Sequence, residues 1–286
     1  MDLDGLTAIV TGGASGVGYS IARALVEAGA DVVIADVRAD VEERAAELAA
    51  GGRNVIGVPC DVARPDDVVR VVERAAQLPG RLGILINNAA VMRTSGPFDD
   101  WEKALGDFDA VLDVNVRGVF LFGRAVAPLM VSAGGGHIVN MSTDHVHTCG
   151  WPVPVSHEDA RDCPWSDQVR PPGVNGMDVY DASKWALNGL TQAWAKALRP
   201  HGVRVNNICL GATDSGMLRA FSGYSSTPPP ADVLASWMDP ADVARVVVEL
   251  IGEGPTGRSG DNVGLWRGHP TVLPPPSEVL DVSVER

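Results

Sequence analysis

Tyr180 and Lys184 stand four residues apart in the run Tyr180-Asp181-Ala182-Ser183-Lys184. On a helix that spacing puts two side chains on one face. A tyrosine phenol, with an ordinary pKa of about 10, is a poor base near neutrality. An ammonium held beside it favours the phenolate, and a second bound cation adds to the effect. Making the phenol roughly a thousandfold more acidic takes about 4 kcal/mol, which two cations in a partly dry cleft can supply. The pair is therefore a candidate proton-transfer device. The plainer alternative is a surface aromatic beside a solvated lysine.

A second chemistry sits at the start of the chain. The apolar run Thr7-Ala8-Ile9-Val10 enters Thr11-Gly12-Gly13-Ala14-Ser15-Gly16-Val17-Gly18, and a helical pattern follows through Ile21, Ala22, Leu25 and Val26. Glycines let backbone approach a pyrophosphate, and the helix N-terminus adds free N–H groups and positive dipole. Gly12, Gly16 and Gly18 fill those places. Asp36 ends the next strand, 18 positions past Gly18. A carboxylate there accepts hydrogen bonds from adenosine ribose hydroxyls and repels a 2′-phosphate, which favours NAD over NADP. Asp36 as a cap for the following helix is the alternative. Oxidised nicotinamide would be the second cation beside Tyr180.

The elements that must position these groups alternate along the chain. Strands are predicted at Asp31 to Asp36, Val55 to Val58, Leu82 to Ile86, His137 to Met141 and Val203 to Ile208. Helices fall between them, at about 40–50, after Pro65, at about 104–132 and at about 178–198. The Val- and Ile-rich strands show little polar alternation, as expected of parallel strands covered on both faces. The pattern predicts an α/β fold, a doubly wound parallel sheet in a three-layer α/β/α arrangement, as one domain over 1–286. Residues 144–178 break the rhythm as a long insertion between the fifth strand and the helix bearing Tyr180. Residues 222–232 and the tail 270–286 are irregular.

The net charge of -13 and pI near 4.8 argue against nucleic-acid binding, because so acidic a chain repels a phosphate backbone. No membrane association is expected: the most apolar stretch, Val111 to Met130, is interrupted by Asp113, Asn115, Arg117 and Arg124, and the first residues lack the secretory pattern. The four cysteines form no C-x-x-C pair and read as reduced thiols in a cytoplasmic protein.

The motifs in order are Thr11-Gly-x-x-x-Gly-x-Gly18, Asn87-Asn88-Ala89-Ala90, Asn115, Ile138-Val139-Asn140-Met141-Ser142-Thr143 and Tyr180-x-x-x-Lys184. Together they resemble the short-chain dehydrogenase/reductase family, from about residue 5 to about residue 266. The resemblance implies a Rossmann-like fold and a homotetramer or dimer. It implies a working tetrad: Asn115 positions a water in the proton relay, a hydroxyl holds the substrate oxygen, Tyr180 exchanges its proton, and Lys184 binds the nicotinamide ribose and lowers the Tyr180 pKa. It also implies that NAD is held by Gly12, Ser15, Gly16, Val17 and Gly18, by Asp36 and Val37, by Asp61 and Val62 around the adenine, and by Asn88, Ala89 and Ala90. Gly211 and Ser215 fall where the family contacts the nicotinamide, although the usual Pro-Gly reads Leu210-Gly211 and the usual Thr reads Ser215. The family's serine is the second of a Ser-Ser pair, a register that gives the role to Thr143. Successive strand residues face opposite ways, so only one of Ser142 and Thr143 should face the cleft.

The 37 positions between Thr143 and Tyr180 exceed the family's interval. The insertion, with Trp151 and Trp165, is expected to be a lid over an apolar pocket with a few polar contacts, or else a surface excursion or subunit contact. His145 should share a strand face with Thr143 and touch substrate. His145, His147, Cys149, His157 and Cys163 match no zinc spacing, so no metal is expected. Met217 and Phe221, with Leu218, could close over substrate or simply pack. The resulting expectation is NAD-dependent interconversion of a secondary alcohol and a ketone, in the oxidative direction. Dehydrogenation of a cyclic cis-dihydrodiol, and a non-catalytic NAD-binding sensor or scaffold, are the other readings.

Overall fold

Seven parallel strands order themselves β3-β2-β1-β4-β5-β6-β7. They are β1 (Leu6–Thr11), β2 (Asp31–Asp36), β3 (Val55–Pro59), β4 (Arg81–Asn87), β5 (Gly136–Thr143), β6 (Val203–Leu210) and β7 (Asn262–Leu265). The computed structural model describes residues 2–49, 52–147 and 176–267. Within them the helices are α1 (Gly16–Glu27), α2 (Val41–Ala49), α3 (Pro65–Ala76), α4 (Trp101–Leu112), α5 (Val119–Ser132), α6 (Asp178–Leu198), α7 (Gly216–Phe221), α8 (Ala231–Ser236) and α9 (Pro240–Ile251).

The sheet is apolar on both faces because helices cover both. Ala8, Val10, Val32, Ile34, Ile84 and Ile86 point into a layer shared with Ile21 and Leu25 of α1 and Val243, Val247 and Leu250 of α9. Their strand neighbours Ile9, Val33, Leu85 and Ile138 point the other way, against Val68, Val71 and Val72 of α3 and Phe122, Val126 and Met130 of α5. Each fully buried aliphatic side chain contributes about 1.5–3 kcal/mol. This is the predicted doubly wound, three-layer arrangement, with one more strand and one more long helix than the sequence reading named. α9 begins with Asp239 capping the Ala241 N–H and Pro240 in the first turn, a standard start signal.

The expected helix over 104–132 is two helices joined by a π-helical turn, Asp113–Gly118. The stretch Trp101–Ser132 is long and apolar enough to cross a bilayer by composition, yet Val111, Val119, Phe122, Val126 and Met130 are buried in the protein. Strand order reverses on either side of β1, which lies between β2 and β4. In such a sheet the crevice outside the C-terminal ends of the strands at that switch point is the place for a ligand.

Candidate active site

A cavity of about 1070 Å³ opens at that point. At one end is the glycine turn. Gly12 and Gly16 have φ of 61° and 54°, values that favour glycine. A Cβ on Gly18 would lie 2.2 Å from the Gly12 carbonyl oxygen and 2.4 Å from Asn88 Nδ2, so Gly18 lets the turn close without itself lining the cavity. Ser15 is the N-cap of α1, yet its side chain caps nothing and the first turn carries no acid. Those amides and that hydroxyl are left for an anion.

Asp36 accepts hydrogen bonds from the backbone N–H of Ala14 at 3.0 Å and of Arg38 at 3.1 Å. Its carboxylate thus braces the glycine turn and faces the cavity; it bonds no amide of α2, which disposes of the helix-cap alternative. Arg38, also on the cavity wall, is paired with Asp40. Val37, Asp61 and Val62 line the same end, and Ala89 and Ala90 lie between the two ends. The Asn88 side chain donates to the carbonyls of Thr11 and Gly12, both at 3.0 Å, so it locks the turn to β4 as well as lining the cavity. An uncapped helix start, a carboxylate at the neighbouring strand end and an elongated cavity fit a dinucleotide.

At the other end β5 and α6 bring Thr143, Tyr180 and Lys184 to one wall. Ser142 Oγ donates to the Lys184 carbonyl at 3.2 Å, so that hydroxyl is committed to α6. Thr143 Oγ1 instead donates to Asp144 Oδ1 at 3.2 Å. Both residues line the cavity, and their hydroxyls differ in partner: Ser142 is tied to α6, and Thr143 to the neighbouring carboxylate. Asn115 sits in the π-helical turn, nearly fully buried. Its Oδ1 accepts from the Val91 N–H at 2.8 Å, and its Nδ2 donates to the Val91 carbonyl at 2.9 Å and to Ser183 Oγ at 3.0 Å. It ties the segment after β4 to α6 from behind the cavity wall.

Lys184 is buried, with Nζ donating to the Met141 carbonyl at 2.8 Å, and burial lowers its pKa to about 8. Tyr180 runs opposite to expectation. Burial first, then the carboxylates of Asp181 and Asp144, push its pKa above the ordinary value. The ammonium is 5.6 Å from the ring centroid and aimed at β5, so it does not offset burial and two acids. The protein groups by themselves therefore keep Tyr180 a phenol.

His145 reaches the cavity, though not by the predicted route. β5 stops at Thr143, and Asp144–Val146 form a 3-10 turn. His145 Nδ1 is 2.7 Å from Asp181 Oδ1, and Nε2 is 3.9 Å from Asp144 Oδ1. Met217 and Phe221 also line the cavity. Ser215 caps α7 by accepting from the Leu218 N–H at 3.2 Å, and it too lines the cavity. Gly211 lies against Trp266: a Cβ there would be 2.5 Å from the Trp266 Cβ. Trp151, the rest of the expected lid over 148–175, Cys149, His157, Cys163 and the tail 270–286 lie outside the described residues. Among the described residues no three His, Cys, Asp or Glu side chains group as metal ligands. Sequence reasoning missed Asp144, Met92, Met177 and Trp266, which complete the wall. Trp266 was findable in principle, since it follows a strand end on the ligand side of a parallel sheet.

A doubly wound sheet whose switch-point cavity joins an anion cradle to a Thr–Tyr–Lys wall defines a nicotinamide-dependent oxidoreductase. The chain belongs to the short chain dehydrogenase family, whose model matches residues 6–151 and 171–223. It is 32% identical over 272 residues to oxidoreductase UcpA of Escherichia coli, across 95% of this chain and 94% of that one. It is 36% identical over 204 residues to (+)-borneol dehydrogenase 2 of Salvia officinalis, across 71% of this chain and 63% of that one. Among solved structures it is similar to 7α-hydroxysteroid dehydrogenase complexed with NADH and 7-oxo glycochenodeoxycholic acid, with a TM-score of 0.74 and 26% identity over 96% of this chain and 97% of that one.

Proposed function

We propose that the chain is an NAD-dependent dehydrogenase interconverting a secondary alcohol and its ketone, acting on a substrate with an apolar body. The observation that carries this reading is the meeting of Thr143, Tyr180 and Lys184 on one wall of a cavity whose other end is walled by the glycine turn and Asp36. Thr143 holds the substrate oxygen. Tyr180 exchanges its proton, and Asn115 and Lys184 connect that proton to solvent. The glycine turn with Ser15 and Val17 holds the pyrophosphate, Asp36 and Val37 the adenosine ribose, Asp61 and Val62 the adenine, and Ala89, Ala90, Gly211 and Ser215 the nicotinamide side. A bound oxidised nicotinamide supplies the hydride acceptor and a positive charge that opposes the two carboxylates near Tyr180.

The apolar body is inferred from Met92, Met217, Leu218, Phe221 and Trp266 on the cavity wall, and it agrees with relatives named for borneol and a hydroxysteroid. We place the protein in the cytoplasm, where buried, unpaired Cys60 and Cys209 stay reduced. A homodimer or tetramer would cover the exposed apolar side chains Trp101, Leu105 and Phe108 of α4, Phe120 of α5 and Trp185 of α6.

The test is a panel of terpenols, steroids, aryl carbinols and simple secondary alcohols with NAD and with NADP, run on the wild type and Tyr180→Phe. Reduced nicotinamide should form with NAD. Tyr180→Phe should lose turnover by about 100-fold or more while calorimetry still records NAD uptake. A Tyr180→Phe rate near wild type would refute the proton-transfer role. NAD uptake without turnover of any panel member would favour the sensor reading.

A further inference from the structure

The proposed chemistry uses Thr143, Tyr180 and Lys184 and gives no task to a carboxylate on the same wall. Asp144 follows Thr143 directly, on the 3-10 turn that ends β5. Its side chain is 16% exposed and lines the cavity. Beside it, at the end of the neighbouring strand β6, is Gly211, where a Cβ would lie 3.3 Å from Oδ2. An ionised carboxylate offers about four acceptor positions. Among the described residues Asp144 takes one side-chain hydrogen bond, from Thr143 Oγ1 at 3.2 Å. The His145 ring is held by Asp181 at 2.7 Å and stops with Nε2 at 3.9 Å from Asp144, outside hydrogen-bond reach. A half-buried acid so poorly supplied with donors costs free energy, and burial does push its pKa up. Such a group persists beside a reacting centre when the substrate brings the missing donor.

Resting on the dehydrogenase reading, we propose that Asp144 selects the substrate: its carboxylate accepts a hydrogen bond from a second hydroxyl on the carbon next to the reacting one, so the enzyme takes cyclic vicinal diols. Two features of the wall point there. Thr143 Oγ1 and Asp144 Oδ1 are one hydrogen-bond length apart, the separation of the two oxygens of a gauche vicinal diol, so each substrate oxygen meets its own partner. Beyond them Met92, Met217, Phe221 and Trp266 present an apolar surface suited to a ring, and a ring holds two neighbouring oxygens in that gauche arrangement. The carboxylate also turns away acidic substrates by like-charge repulsion. In the reaction the reacting carbon would give its hydride to NAD, and its hydroxyl would give its proton to Tyr180 as the phenolate, the form that the positive charge of bound NAD favours. One C=O bond forms, and the second hydroxyl remains, giving a hydroxyketone, NADH and a proton.

The experiment compares kcat/KM for cis-indanediol, indanol and cis-aminoindanol with NAD, on the full chain and on Asp144→Ala and Asp144→Asn. The wild type should favour the diol over indanol by about 10- to 100-fold, the range of a hydrogen bond to a charged group. Asp144→Ala should bring the diol-to-indanol ratio near one. Asp144→Asn, whose amide oxygen still accepts and whose shape is unchanged, should keep part of it. A wild-type ratio near one, a ratio unmoved by Asp144→Ala, or preference for aminoindanol over the diol each overturns the proposal. Turnover of indanol that depends on Tyr180 would in those cases leave the dehydrogenase reading standing. Failure of all three substrates, with no NAD uptake, would remove that reading and this one with it.

Discussion

Replacing Lys184 by Met should cost the protein its activity and none of its stability. Lys184 is 4% exposed, and among the described residues its ammonium makes one hydrogen bond, to the Met141 carbonyl at 2.8 Å. Burial brings its pKa from 10.5 to about 8. Keeping the ammonium charged in the folded chain at neutral pH therefore costs about 3 kcal/mol. The sign follows from a folded value below the unfolded one: the cost is absent above about pH 10.5, grows as pH falls towards 8, and is in full force below 8. Met fills similar volume without the charge. Against that gain stands the Met141 carbonyl, whose lost partner costs about 1–3 kcal/mol. The balance is a stability between unchanged and about 2 kcal/mol higher, or a rise in Tm of up to about 8 °C for a domain this large. Calorimetry of the unliganded variant at pH 7 checks the first half, and the alcohol assay checks the second. A Tm more than about 4 °C below wild type would show that the ammonium stabilises the fold. Turnover within tenfold of wild type would show that it plays no part in the chemistry.

Three further outcomes can be measured on the same protein. Asp36→Ala should move cofactor preference towards NADP, because it removes the carboxylate that would face a 2′-phosphate and leaves Arg38 on that wall; an unchanged NAD-to-NADP ratio of kcat/KM takes Asp36 out of the selectivity argument. Gly18→Ala should weaken dinucleotide uptake at least tenfold in calorimetry, since its Cβ would lie 2.2 Å from a backbone oxygen of the turn and the turn must spread, at about 1–3 kcal/mol; unaltered affinity would show that the turn has slack. His137 is fully buried and its pKa is well below 6.5, so stability should fall as pH drops below 6.5, by up to about 1.4 kcal/mol per pH unit from this group; His137→Asn should flatten the Tm profile between pH 6.5 and 5, and parallel profiles would refute the linkage.

The sheet, the glycine turn and the Tyr–Lys pair were legible because each is a local pattern. Val- and Ile-rich runs between helical stretches report a covered parallel sheet, and glycine spacing reports a turn that backbone crowding enforces at Gly18. What sequence alone misjudged depends on where a chain bends or what comes close through space. The face assigned to His145 assumed that β5 runs on; a 3-10 turn interrupts it, and His145 lines the cavity with its ring against Asp181. The expected acidity of Tyr180 counted the ammonium four residues on and the charge of a bound nicotinamide; without that second cation, burial and then the carboxylates of Asp181 and Asp144 raise the phenol's pKa. The π-helical turn that carries Asn115 falls inside what reads as one continuous helix, and no residue type marks the change of helical pitch; such turns recur at functional sites.

The bend before His145 and the balance of charge around Tyr180 meet at Asp144. In sequence it is an ordinary acid after a strand, indistinguishable from a cap or a solvated turn residue. In space it accepts a hydrogen bond from the Thr143 hydroxyl, adds to the rise in the Tyr180 pKa that burial and Asp181 cause, and stands 3.9 Å from an imidazole whose other nitrogen is already engaged. A group that opposes phenolate formation at a dehydrogenase's proton-transfer site weakens catalysis unless it contributes more to holding the substrate than it costs there. That adds to the geometric reason, a cavity-lining carboxylate with one side-chain donor among the described residues, to assign Asp144 to substrate recognition and to look for its partner among molecules that carry a hydroxyl beside the one that reacts.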